Sequence, residues 1–220
     1  MLLSKVYIIE GSYEKALMSL NDALKNVENS DALVIKATIY SEIGFVLAKL
    51  NNYNDSIDYI NKAINLANKL SLKYLLENTY INLGYVLNEL GDYEKAKNAY
   101  TVASKIWEEL GFHKGRWEIY YGISKIFLSQ GKTFEALASL ENSIDLFDDI
   151  DFEESGCLID KREQIFVDLI DILINAYEKE KEQKYLRKAY YYAELKKTED
   201  FKRVFTDSKI DIMNTIGADV

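Results

Sequence analysis

ENTYINLGYVLNELGDYEKAKNAYTVA, residues Glu77 to Ala103, reads as two helices joined by a tight turn. Tyr80, Leu83, Gly84 and Leu87 recur at helical spacing in the first half, and Ala96, Tyr100 and Ala103 in the second. Gly91-Asp92-Tyr93 between them supplies a helix stop and a restart. Gly84, Ala96 and Ala103 are small where two helices must approach closely. One such hairpin cannot bury its apolar face alone, so neighbouring copies are required.

The copies are present in a constant register. Gly11, Asn51, Gly91 and Gly131 stand 40 residues apart (51−11, 91−51, 131−91). Small residues return as Ala16, Ser56, Ala96 and Ala136, and again as Ala23, Ala63, Ala103 and Ser143. Bulky residues return as Leu20, Ile60, Tyr100 and Leu140. Tyr13, Tyr53 and Tyr93 follow the turns, with Thr133 in the fourth place. Tyr40, Tyr80 and Tyr120 match in the first helices, as do Ile43, Leu83 and Ile123.

This order resembles the tetratricopeptide repeat family: an aromatic, Leu-Gly, Gly-x-Tyr-x-x-Ala, an aromatic, then Ala. Tyr80, Leu83, Gly84, Gly91, Tyr93, Ala96, Tyr100 and Ala103 carry it most completely, and it extends over roughly residues 1–147. The spacing exceeds the usual period of about 34 residues. The Pro that often ends a repeat is absent, as every Pro is from this chain. Similar long-period repeats occur in kinesin light chains, polarity adaptors, peptide-sensing regulators and the helical arms of caspase-like CHAT proteins. The resemblance implies an all-α, right-handed α-solenoid (superhelix) of antiparallel helix hairpins. It is specific for fold and weak for function, because one fold hosts many partners.

The expected organisation is four repeats within residues 1–150, at 1–28, 29–70, 71–111 and 112–150. Residues 151–220 are expected to hold a degenerate fifth hairpin and a C-terminal capping helix. Met1 to Glu10 align with only the second half of a first helix, so repeat one starts in mid-element. Either a short helix caps the array or the chain was cut from a longer one. The incomplete repeat leaves apolar surface that invites a second copy, and a homodimer through it is one expectation. Asn29-Ser30-Asp31 and Ser71 read as N-cap signals. Asp148 to Glu154 is an acidic connection lacking the alternating acids, central Gly and closing Glu of a calcium loop. In 159–178, Ile165, Phe166, Leu169, Ile170, Leu173 and Ile174 form the expected apolar side. The partner helix is expected at 185–197, and one more from Thr198 or Asp200 to about Met213. The segment 185–205 weakly resembles the connector between repeats and protease in CHAT proteins through Ala189, Tyr192, Ala193, Glu194 and Lys196.

Charge and composition exclude several functions. Lys+Arg 27 against Asp+Glu 36 gives a net charge of −9. That argues against nucleic acid, which needs a positive face to displace counterions, and against anionic membranes. A single Cys excludes an internal disulfide and fits a reducing, cytoplasmic setting. MLLSKVYIIEG is too short for a signal peptide's charged and apolar regions. His113, the only His, and Cys157 sit on different units with no oxyanion-hole signature, and the Gly residues fall at turns and helix contacts. No cofactor or metal is implied, and the chain reads as a non-enzyme.

What remains is a binding surface. The resemblance places groove positions on the first helices: Thr38, Ser41, Glu42, Phe45, Ala48 and Lys49; then Asn78, Ile81, Asn82, Tyr85, Asn88 and Glu89; then Glu118, Tyr121, Gly122, Lys125, Leu128 and Ser129. The candidates among them are Ser41, Phe45, Lys49, Asn78, Ile81, Asn82, Tyr85, Asn88, Tyr121 and Lys125. An Asn side chain both donates and accepts, so it can pair with both groups of an extended peptide backbone. Aromatics supply rigid contact area at low entropy cost. The lysine clamp that similar repeats use for acidic chaperone tails is missing, since only Lys49 and Lys125 could meet a carboxylate. The reading is a module holding a protein or peptide segment in its concave groove. Two alternatives stand beside it: a regulatory arm of a larger effector, whether CHAT protease or peptide-sensing regulator, and a scaffold that uses its outer faces.

Overall fold

The computed structural model describes residues 2–111, 116–146 and 159–197, with side chains in the last stretch from residue 164 onward. Among the described residues the regular structure is all helix. The chain divides into two compact units, Met1–Cys157 and Leu158–Val220.

The first unit holds α1 (Leu2–Ile9), α2 (Tyr13–Val27), α3 (Leu33–Lys49), α4 (Tyr53–Lys69), α5 (Lys73–Glu89), α6 (Tyr93–Glu109), α7 (Trp117–Ser129) and α8 (Thr133–Ile144). Successive pairs form hairpins, and each hairpin stacks on the next through α2 on α3, α4 on α5 and α6 on α7. The first helices also touch one another, α3 on α5 and α5 on α7, so they make an inner row. This is an α-solenoid.

The main chain closes the corners within each hairpin. Gly11, Asn51, Gly91 and Gly131 all have φ between 60° and 77°. Each is the left-handed residue after a helix, followed by a paired bond back across the last turn. After α5, for example, Gly91 N–H donates to the Asn88 carbonyl and Asp92 N–H to the Leu87 carbonyl, both at 2.9 Å. Ser71, with φ 55°, closes α4 in the same way. Ser71 therefore ends one helix instead of capping the next, whose N-cap is Leu72 without a side-chain bond. Ser30 departs from expectation for a related reason: its hydroxyl donates to the Val27 carbonyl at 2.9 Å, and Ala32 becomes the N-cap of α3. Of α2 to α8, α6 alone has a side-chain cap, Asp92 accepting from Lys95 N–H.

The repeat register is the burial register. Ala16, Ser56, Ala96 and Ala136 are fully enclosed, as are Leu20, Ile60 and Leu140. Full burial of each bulky aliphatic contributes about 1.5–3 kcal/mol before entropy is charged against it. Where a Ser replaces Ala, its hydroxyl finds a carbonyl across the hairpin: Ser56 Oγ donates to Gly44 O at 2.6 Å, and Ser143 Oγ to Trp117 O at 2.9 Å. These bonds keep a buried polar group from being an orphan.

The second unit contains α9 (Ile159–Glu180) and α10 (residues 183–197). Lys181, at φ 58°, breaks the helix between them, and the Tyr185 hydroxyl donates to Glu180 Oε2 at 2.7 Å. Ile165, Phe166, Leu169, Ile172, Leu173 and Ala176 are buried on α9. Ile174, expected on that side, is exposed, because the stripe advances from 169 through 172 and 173 to 176. The acidic connection, His113, Cys157 and the expected helix from 198 lie outside the described residues.

Candidate partner-binding surface

The inner row aligns one aromatic and lysine strip across three first helices. Lys49 Nζ, on α3, lies 5.5 Å from the Phe45 ring centre one turn back and 4.9 Å from the Tyr85 ring centre on α5. Lys125 Nζ, on α7, lies 5.2 Å from the Tyr121 ring centre. A cation held on an aromatic face keeps its N–H groups oriented while the ring stays rigid. Burial pushes the Tyr85 phenol up to about 12, helped by the nearby Glu89 carboxylate, so Tyr85 keeps its proton at every physiological pH.

The two ends of this strip are joined by a residue from the outer row. Tyr100 belongs to α6, yet its ring runs between α5 and α7. A methyl group on Gly84 would stand 2.6 Å from Tyr100 Cε1, and one on Gly122 would overlap the Tyr100 hydroxyl oxygen and Cζ. Both neighbours must therefore be glycine for the ring to pass. The phenol arrives in the electrostatic range of Tyr85, Glu89 and Tyr121, and burial raises its pKa further than that of Tyr85. Gly122, given a groove position by resemblance, is instead buried against the end of the Tyr100 ring.

The remaining candidates divide. Ser41 is buried in the contact between α3 and α5, 2.9 Å from Thr79 Oγ1. Thr79 spends its proton on the Leu75 carbonyl at 2.6 Å, so Ser41 is the donor to Thr79. Ile81 is half-buried against the cluster around Tyr100. Asn82 is half-buried, and Asn88 encloses an Oδ1 with no hydrogen-bond partner among the described residues. Asn78 is exposed, donates to the Tyr74 carbonyl at 3.3 Å, and accepts from Arg116 Nη2 at 3.3 Å.

Arg116 centres a charged cluster that periodicity does not flag. It forks onto Glu118 at 2.6 Å and 3.1 Å, reaches Glu77 Oε2 at 3.3 Å, and lies 5.1 Å from the Trp107 ring centre. One guanidinium serves two carboxylates, and Glu118 takes the shorter bonds. Glu77 is fully buried and its Oε1 has no hydrogen-bond partner among the described residues. Burial outweighs Arg116 and lifts the Glu77 carboxyl to about 7, with Glu118 adding to the rise. Among the described residues, no group of acids, His or Cys could hold a metal ion, and no helix is long and apolar enough to cross a membrane.

Nested hairpins with an inner row of first helices define a helical-repeat binding protein. The family model for the tetratricopeptide repeat matches residues 35–109 and again 75–149, and the chain belongs to that family. Its arrays are protein–protein interaction modules. The fold is similar to BtubC (BKLC) from P. vanneervenii, at TM-score 0.65 and 15% identity over 88% of this chain and 78% of that one. MamA from Desulfovibrio magneticus RS-1 aligns at TM-score 0.55 and 14% identity, over 87% of this chain and 92% of that one. A kinesin light chain of nearly identical TPR-like repeats from Podosopora anserina gives 0.58 at 11% identity, covering 87% and 92%. In sequence, response regulator aspartate phosphatase J of Bacillus subtilis is 24% identical over 98 residues, which take in 44% of this chain and 26% of that protein.

Proposed function

We propose that this chain is a non-catalytic module that holds an extended protein or peptide segment along its inner row of first helices. The observation that carries the reading is the strip formed by Phe45, Lys49, Tyr85, Tyr121 and Lys125, which offers rigid rings and oriented donors on three successive helices. Asn82 and Asn88 flank it with amides able to pair with a peptide backbone. Tyr85→Ala and Asn82→Ala should each weaken capture of partner segments while leaving the melting temperature close to that of the parent. Unchanged capture by both variants would transfer the function to the outer faces.

The match to the aspartate phosphatase favours a second reading, in which the array is the regulatory arm of a larger effector of the peptide-sensing or CHAT caspase-like kind. Reading the coding sequence on either side of this chain decides it. The first hairpin also supports self-association. Leu3 and Val6 are 55% and 48% exposed, whereas Ile43 and Val46, their counterparts 40 residues on (43−3, 46−6), are fully buried. A homodimer would cover that seat, and Val6→Glu should then shift the mass measured by light scattering from dimer to monomer.

A further inference from the structure

Position 77 breaks a rule that the other repeats keep. Ala37 and Trp117 hold the same register place on α3 and α7 (77−37, 117−77), and the three residues are 0%, 0% and 1% exposed. Ala and Trp suit an enclosed place; a carboxyl does not, unless donors surround it. Among the described residues Glu77 has one such donor, Arg116 Nη1, at 3.3 Å from Oε2. Arg116 gives its shorter bonds to Glu118 and reaches Asn78 Oδ1 with Nη2. Any further contact of Arg116 divides it more and leaves Oε1 of Glu77 as it is. This shared guanidinium sits on a seam between hairpins. Arg116 is the N-cap of α7, in extended backbone, at a register place that is helical in α3 and α5 as Lys36 and Leu76. From there it touches α5 through Glu77 and Asn78, and α6 through Trp107.

We propose that Glu77 and Arg116 make a proton-operated clasp between the α5–α6 and α7–α8 hairpins: the acid form of Glu77 lets them close, and its carboxylate loosens them. Among the described residues, the charged groups that face Glu77 are Arg116 and Glu118, both at the start of α7. Lys73, one turn earlier on α5, is turned instead to Glu109 on α6, at 2.9 Å. With a proton on Glu77, Arg116 and Glu118 balance as a pair. Without it, two carboxylates share one guanidinium, and an enclosed oxygen bears charge with no donor. Parting the hairpins gives that oxygen water. Arrays of this kind can part between neighbours, since each hairpin touches only the next. The folded carboxyl titrates at about 7, above its ordinary 4.5, so the change falls near neutral pH. The closed form holds the proton more tightly than the parted one. Closure is therefore strongest at acid pH and weakens as pH rises through the folded value.

Amide hydrogen exchange on the full chain tests the clasp. Protection is read against an unstructured peptide at the same pH, so that base catalysis of exchange cancels. Protection over residues 119–124 of α7 should fall roughly 50-fold from about pH 5 to about pH 8. Protection in α4, which can open without parting this seam, should change less than about threefold. Glu77→Gln should abolish the fall in α7. Glu118→Gln leaves Arg116 to Glu77, steadies its carboxylate, and should shrink the fall by about threefold. An equal fall in α4 and α7 would make Glu77 a determinant of overall stability and not a clasp. A flat profile for α7 in the parent, or a fall that persists in Glu77→Gln, would overturn the proposal as well. An unaltered fall in Glu118→Gln would show that the two carboxylates do not compete for Arg116, and the clasp would fail on that ground.

Discussion

Two junctions in this array occupy the same register and differ in what they enclose. Where α3, α4 and α5 meet, Ile60 fills the space beside Gly44, whose added methyl would stand 2.7 Å from Ile60 Cγ1. Where α5, α6 and α7 meet, Tyr100 fills the equivalent space between Gly84 and Gly122, and the buried Glu77 with its Arg116 partner lies on the same pair of first helices. At the first junction that space is filled by hydrocarbon, and the buried Ser41–Thr79 hydroxyl pair is a neutral polar contact between α3 and α5. The second admits phenol, guanidinium and carboxylate between its helices. Repetition therefore sets where helices sit, and the glycine at 122, where the first junction has Asn82, makes room for the phenol.

The largest expected effect tests whether Gly122 is what makes the difference. Gly122→Ala forces Tyr100 or α7 to move, and overpacking of this kind should cost about 3 kcal/mol in urea unfolding. Adding Tyr100→Leu, the residue found at positions 20 and 140, should recover most of it. If the double variant is no more stable than the single, the pairing of 100 with 122 is wrong.

Next comes the buried carboxyl. Glu77 in the folded chain titrates at about 7, above its ordinary value of 4.5. Its contribution is fully present below the unfolded value and is lost as pH rises through the folded one. The stability of Glu77→Gln relative to the parent should therefore start near zero at acid pH and climb across pH 4.5–7 to roughly 3 kcal/mol. Thermal melts over that range read it directly; a variant that falls below the parent at alkaline pH would mean that the Arg116 ion pair outweighs burial.

At the first junction the corresponding polar change is mild. Ser41→Ala removes the donor to Thr79 and should cost about 1 kcal/mol, with no pH dependence. The smallest effect belongs to the turns. Gly91→Ala places a Cβ on a residue with φ 77° and should cost about 1 kcal/mol, while Asn51→Gly, at φ 60°, should change stability by only a few tenths. A larger loss at residue 51 than at residue 91 would show that the Asn51 side chain, which accepts from the Tyr53 hydroxyl at 2.9 Å, outweighs the backbone.

Much of the fold was legible because it rests on spacing. Helix ends expected from Gly91 and Asp92 fall within a residue of those observed, since a left-handed stop and a cap are local events. Ser30 and Ser71 were misread for the same reason in reverse: a serine near a helix end can bond either way, and only the backbone angle decides which helix it serves. On the candidate surface, Phe45, Lys49 and Tyr85 could be aligned from their register. Ser41 could not be seen as buried, because that depends on Thr79 approaching from the next repeat. Arg116 carries no periodic signal at all. Tyr100 did carry one, a Tyr among aliphatics paired with a Gly among larger residues, but it is visible only when two different columns of the repeat are compared.

The corners of the hairpins have one more consequence. Because main-chain bonds close them, with a single left-handed residue at each, their geometry asks almost nothing of the side chains on the inner face. The residues that would read a partner can therefore be exchanged one hairpin at a time without disturbing how the chain reverses direction. Recognition and assembly are written in separate letters, and a library that randomises residues 45, 85 and 121 while keeping every corner should yield mostly folded proteins with new preferences.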